Sequence, residues 1–221
     1  MRNLTKKMKD FLPLLLCISF LLLIKTSFAK TSYAAIPKIG QRAPSFSLPD
    51  QHGKIHTLAE YRGKILILAF YPADFTVGCT LEAHVNTEYY KKYIKNGITL
   101  IGISVQTPQS HKAFCETYKI PYTLLADTTG KVARKYGVLG KPFHGKFPKQ
   151  AWYSHPKRSA KIYYKLNPQK SPGLAERVTF IIGKHGKIAY IDKNVNQHIL
   201  TCAPRWIYWV QTHRKLLNAK Y

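Results

Sequence analysis

Phe70-Tyr71-Pro72-Ala73-Asp74-Phe75-Thr76-Val77-Gly78-Cys79-Thr80-Leu81-Glu82 decides how this 221-residue chain is read. It follows an unbroken apolar run, Ile65 to Phe70, which predicts a strand buried on both faces. Pro72 ends that strand, because proline has no N–H to give to a ladder. From Cys79 onward Leu81, Val85, Tyr89 and Tyr93 recur every four residues. That spacing predicts a helix running to Asn96-Gly97, with Gly97 as its left-handed cap. Cys79 then stands at a helix N-terminus, where free amides and the positive end of the dipole favour a thiolate over a thiol. A thiol so placed is a nucleophile by position.

Outward from this stretch the pattern alternates. Upstream, Pro44 to Leu48 and Ile55 to Leu58 flank the turn Asp50-Gln51-His52-Gly53-Lys54 and predict a short hairpin. Downstream, Ile98 to Val105 is a second buried strand, and Thr107-Pro108-Gln109-Ser110 opens a helix carrying Cys115. Tyr122 to Ala126 is a third strand, and a helix ends at Tyr136-Gly137. Such alternation predicts an α/β domain with a mostly parallel sheet and helices on both faces. Residues 141–175 break the rhythm with eight Lys and Arg and no acidic residue, and predict a long irregular loop. A hairpin from Arg177 to Ile191 follows, then a helix from about Pro204 with Trp206, Trp209, Val210, His213 and Leu217 in one stripe.

With 45% apolar residues the chain is long enough for a full core and is not a disordered one. The domain is expected over residues 44–221, behind a polar tether at 30–43. Residues 1–29 have a basic start, an apolar run from Phe11 to Ile24, and small residues in Ser27-Phe28-Ala29. This three-part pattern predicts a secretory signal peptide, or failing cleavage an anchor, and hence an exported protein. Beyond it lie Cys79, Cys115 and Cys202, an odd count that opposes a purely structural disulfide framework.

The loop Pro72-x-x-x-Thr76-x-x-Cys79 can aim several amides, and the Thr76 hydroxyl, at one point beside the sulfur. A cation arriving from elsewhere would hold the thiolate. Arg177 is the candidate, since a guanidinium at the start of a buried strand is costly unless it faces an anion. Glu82, one helical turn beyond Cys79, could orient that arginine. The nine histidines have no ligand spacing, so no metal site is expected. Cys202, beside Pro204 at a helix start, reads as a surface or intermolecular thiol.

Those residues resemble the active site of the peroxiredoxins, and within them the bacterioferritin-comigratory-protein (Prx Q) group. Supporting stretches are Ala43 to Gly53, Tyr61-Arg62-Gly63-Lys64, Leu124-Leu125-Ala126-Asp127 and Lys135-Tyr136-Gly137-Val138. The resemblance runs from about residue 38 to the C-terminus, apart from 141–175. It implies a thioredoxin-like fold, with a central mixed sheet flanked by helices and an N-terminal β-hairpin extension. It also implies a thiol-dependent peroxidase without a cofactor, acting on a hydroperoxide and recycled by a thioredoxin-like protein or a small thiol. Cys79 would be peroxidatic, assisted by Thr76, Arg177, Pro72 and Glu82. Many members of this group place the resolving cysteine five residues after the peroxidatic one, where this chain has His84. Cys115 resembles the arrangement of members that keep it on the next helix. Val77 stands where the family usually has proline.

A different class is a redox-sensing or binding protein of the same fold, working through the basic 141–175 loop. Its aromatics, interleaved with Lys and Arg, suit stacking or an interfacial contact. No nucleic-acid motif accompanies them, so an anionic envelope surface is the expected contact. The absence of Cys-x-x-Cys opposes a disulfide oxidoreductase, and the chain is expected to be a monomer.

Overall fold

The computed structural model describes residues 34–142, 146–168 and 171–219. The stretch read as a signal peptide lies outside them. Seven strands are assigned among the described residues: β1 (Ser47–Pro49), β2 (Ile55–Thr57), β3 (Ile65–Phe70), β4 (Ile98–Ser104), β5 (Thr123–Ala126), β6 (Val178–Ile182) and β7 (Ile188–Asp192). β1 and β2 form the expected antiparallel hairpin, and the other five make one sheet in the order β5-β4-β3-β6-β7. β3–β4 and β4–β5 are parallel, whereas β3–β6 and β6–β7 are antiparallel. The sheet is therefore mixed, and the C-terminal hairpin is what departs from a mostly parallel reading.

β3 explains why its sequence is unbroken. Ile65, Ile67 and Ala69 enter one apolar cluster, and Leu66, Leu68 and Phe70 enter another on the opposite face. The helices are α1 (Val77–Glu88), α2 (Tyr90–Lys95), α3 (Pro108–Tyr118), α4 (Lys131–Lys135), α5 (Pro156–Leu166), α6 (Cys202–Thr212) and α7 (Arg214–Asn218). Residues of α1, α3 and α6 join the first cluster, and Val132 and Ala133 of α4 join the second. The predicted helix from Cys79 to Asn96 is two helices, because Tyr89 leaves helical geometry (φ −88°, ψ 1°). That kink turns Tyr93 fully inward, where its hydroxyl donates to Asn86 at 2.8 Å. The C-terminal stripe is broken similarly at His213, which is exposed and stacks on Trp209. Gly40 and Ala43, at the end of the stretch read as a tether, are tied to the C-terminal hairpin by donating their amides to Ile188 and Gly186 (2.7 and 2.9 Å).

The largest correction concerns residues 141–175. The segment contains α5, with Pro156 in its first turn, where a missing N–H costs nothing. Ser159 and Tyr163 face inward, one turn apart, while Lys157, Arg158, Lys161 and Lys165 are exposed. Four of its described aromatics are not displayed for stacking. Trp152, Tyr163, Tyr164 and Phe147 pack on one another at centroid distances of 5.2 to 5.8 Å. Those four aromatics are thus a small core, and the described cations of the segment face out.

Candidate active site

Cys79 is the third residue of α1 and is 3% exposed. The loop before it folds back, so that the Ala73 amide points at Sγ from 3.5 Å. Thr76 takes the N-cap position, but its hydroxyl donates to the Ala73 carbonyl (2.8 Å) instead of capping the helix. The hydroxyl's lone pairs remain free to accept. Pro72 sits partly exposed at the start of this loop.

Arg177, immediately before β6, supplies the cation. Its Nη2 donates to Cys79 Sγ at 3.1 Å, its Nη1 to the Glu82 carboxylate, and its Nε to Asn196 Oδ1 at 2.8 Å. One planar fork is thus held at three points, which a lysine could not reproduce. Glu82 and Arg177 are almost wholly buried. Burial pushes the Glu82 carboxyl up, against the pull of Arg177. The guanidinium goes further up despite burial, because Cys79 and Glu82 both favour its charged form. The structure brings Cys79, Arg177, Glu82 and the Thr76 loop together.

Three features were not legible in advance. Asn196 arrives from a 3₁₀ segment (Val195–Thr201) after β7. Gly78 leaves room for the guanidinium, since a Cβ there would stand 3.1 Å from Arg177 Nη2. The third is a buried polar cluster under the loop. Asp74, fully buried, accepts from Tyr71 OH (2.8 Å) and Ser110 Oγ (2.6 Å) and pairs with His111 Nδ1 (3.0 Å). His111 Nε2 faces the Leu125 carbonyl at 3.2 Å. Both ring nitrogens of the histidine thus face oxygen partners inside the cluster. The signal for this cluster was Ser110-His111 in the first turn of α3, whose polar side chains had no evident use there.

The loop is also strained. Phe75 holds a left-handed conformation (φ 63°), unusual for a bulky side chain. Two contacts hold it: its ring packs on Phe114 (5.2 Å), and its carbonyl accepts from the Tyr153 amide (3.0 Å). Thr76 bridges to Trp152 alongside.

His84 is exposed, with its ring against Tyr118 and Tyr153. Cys115 lies on α3, partly buried, its thiol pushed up to about 12 by burial and by Asp74. Cys202 is not a surface thiol: it is fully buried at the start of α6, and burial pushes its thiol up strongly.

The sequence model of the AhpC/TSA family matches residues 39–191. A chloroplastic peroxiredoxin Q of Gentiana triflora is 39% identical over 155 residues, 70% of this chain and 68% of that one. The chloroplastic peroxiredoxin Q of Populus jackii is 43% identical over 113 residues, about half of either chain. Among solved structures, the peroxidoxin BcpB of Mycobacterium tuberculosis has a TM-score of 0.62 at 23% identity, covering 79% of this chain and 97% of that one. Two mutant structures of Xanthomonas campestris peroxiredoxin Q have a TM-score of 0.60 at 19% identity, covering 82% and 99%. These likenesses establish the thioredoxin-like fold. They also correct the expectation of export, because the matching curated relatives are chloroplastic proteins. No helix among the described residues is long and apolar enough to cross a membrane. The envelope contact was argued from export and loses that argument. On the length of the family match and the identity to its relatives, the chain belongs to the AhpC/TSA family, as a peroxiredoxin of the Q type.

Proposed function

We propose that this chain reduces hydroperoxides through Cys79 and that Cys115 resolves the product. One observation carries the reading: Arg177 Nη2 and the Ala73 amide converge on a sulfur in the first turn of α1. Donors so placed serve a thiolate and, next to it, the oxygen pair it attacks. The thiolate attacks the distal oxygen of ROOH and displaces RO⁻. The O–O bond breaks, the S–O bond forms, and RO⁻ leaves with a proton as ROH, so that Cys79 becomes a sulfenic acid. Thr76 and Arg177 stabilise the charge moving onto the leaving oxygen, and Pro72 shields the sulfenic acid. Glu82 and Asn196 act through Arg177 and are positioning residues. Cys115 then attacks the sulfenic sulfur, releasing water and forming a disulfide, which a thiol reductant returns to two thiols. The working domain in this reading is 44–221, with 141–175 as its insertion.

The pairing has two supports. His84 removes the nearer alternative. The two Xanthomonas structures are cysteine-to-serine mutants at their positions 48 and 84, which are 36 residues apart, the same separation as Cys79 and Cys115.

The test is intact mass after one equivalent of hydrogen peroxide. Wild type should lose about two daltons through the disulfide, with the sulfenic acid as its precursor. Cys79→Ser should not react, and Cys115→Ser should hold a trappable sulfenic acid. Peroxide consumption by Cys79→Ser at the wild-type rate would end this reading. Mass loss persisting in Cys115→Ser would move resolution to Cys202.

A further inference from the structure

The basic helix α5 is tied to the catalytic loop. Its Ser159 hydroxyl lies within hydrogen-bond distance of the Tyr153 and Ser154 carbonyls (3.2 and 3.0 Å). Tyr153 in turn donates its amide to Phe75, four residues before Cys79. The rings of Tyr153, Tyr118 and exposed His84 meet along the same edge, on the insertion, α3 and α1 respectively. The helix therefore borders an edge formed by the helices that carry Cys79 and Cys115.

Its outer face is charged and unbalanced. Lys157, Lys161 and Lys165 recur at four-residue spacing beside Arg158, all exposed. Among the described lysines and arginines, only Arg177 makes an ion pair. No acidic residue lies anywhere in 141–175, so nothing in the segment offsets these four charges. A hydroperoxide has no use for a row of cations along an 11-residue helix.

We infer that the α5 face is the docking surface for the electron donor, a thiol-reducing protein with an acidic surface around its dithiol. Charge complementarity selects this occupant. A nucleic acid or a lipid interface would use the aromatics as well, but Trp152, Tyr163, Tyr164 and Phe147 are engaged with one another. What remains outward on α5 itself is charge, beside a disulfide that must be met by a partner. The inference rests on the proposed peroxidase reading and adds to it the surface and the sign of the partner.

The test compares two reductants in excess hydrogen peroxide: an acidic thioredoxin and dithiothreitol. The variant carries Lys157→Glu, Arg158→Glu, Lys161→Glu and Lys165→Glu in the full chain. Steered association at complementary charges is worth about 10- to 1,000-fold in rate. The variant's kcat/KM for thioredoxin should therefore fall at least tenfold at low salt, with dithiothreitol turnover held as the control for an intact site. Wild-type kcat/KM for thioredoxin should fall with added sodium chloride, and that dependence should flatten or invert in the variant. The inference is overturned if kcat/KM for thioredoxin is unchanged or insensitive to salt. Equal losses with both reductants overturn it too, as would lost binding to single-stranded RNA or anionic vesicles with thioredoxin kinetics unmoved. If wild type consumes no peroxide even with dithiothreitol, the failure belongs to the peroxidase reading instead.

Discussion

Arg177 and Glu82 can be removed one at a time or together, and the two experiments separate stability from chemistry. Arg177→Met leaves Glu82, 4% exposed, without the cation it faces. Breaking a buried pair from one side costs about 3–5 kcal/mol. The sign of its pH dependence follows from the carboxyl. Burial already raises Glu82 above its ordinary value of 4.5, and losing Arg177 removes the main opposing influence. A carboxyl raised in the folded state favours folding below its unfolded value, and the advantage is lost as pH rises through the folded one. Arg177→Met should therefore lose more stability at pH 8 than at pH 5. Adding Glu82→Met replaces the buried charge by an apolar chain, an exchange that is commonly neutral or better. The double variant should return to within about 1 kcal/mol of wild type. Its chemistry should not return. The hydrogen bond from Nη2 to the sulfur is charge-assisted and worth about 1.5–3 kcal/mol, or about 10- to 150-fold in the rate constant with peroxide. Urea unfolding at both pH values and stopped-flow peroxide kinetics measure the two effects. If the double variant reacts within threefold of wild type, or Arg177→Met is as stable as wild type at pH 8, the reasoning is wrong.

Three further outcomes follow from single contacts. Gly78→Ala puts a Cβ 3.1 Å from Arg177 Nη2 and 3.4 Å from Ile199 Cδ1, forcing the guanidinium to give by a few tenths of an ångström; the peroxide rate should fall about three- to tenfold, part of one charge-assisted bond, with the urea midpoint little changed. Cys115, pushed up to about 12 in the folded protein, should attack only after α3 and α1 part; the disulfide-forming rate should then rise with pH and level off near the free-cysteine value, about 8.5, whereas attack in the closed form would keep rising beyond pH 9. Trp152→Ala empties the centre of the insertion's aromatic core and should cost about 3–5 kcal/mol in urea unfolding; a loss below about 1 kcal/mol would mean that the insertion is not part of the cooperative unit.

What was legible in the sequence was what local pattern fixes. Ile65 to Phe70 could only be a strand between two apolar layers, and Cys79 could only follow it at a helix start. Arg177 was found by a cost argument, because a charge beside Val178 and Phe180 needs an anion. Asn196 could not be found that way, since a polar residue in a surface turn costs nothing and carries no signal of where it points. Helix α5 was hidden because its inward positions include Ser159, so the apolar period is incomplete, and flanking prolines with eight cations read as loop. Pro156 was the overlooked sign, being as well suited to open a helix as to break one. The export reading failed for a different reason: a basic start followed by an apolar run describes hydropathy, and hydropathy alone does not name a destination.

The same insertion bears on the order of steps in the proposed cycle. Asp74 is held from α3 by Ser110 and His111, and Ser110 Oγ accepts in turn from Asn167 Nδ2 (3.0 Å), just past the end of α5. Asn167 Oδ1 also accepts from the Thr107 amide at the start of α3 (3.0 Å). The loop that presents the sulfur, the helix that carries Cys115 and the insertion are therefore one network. Peroxide reduction gains from that rigidity, because a fixed guanidinium and amide need no reorganisation as charge moves. Disulfide formation works against it, because the first turn of α1 must leave its place for Cys79 to reach another helix. Each buried bond broken on the way costs about 0.5–1.5 kcal/mol, so the bonds that sharpen the first step are the ones that slow the second.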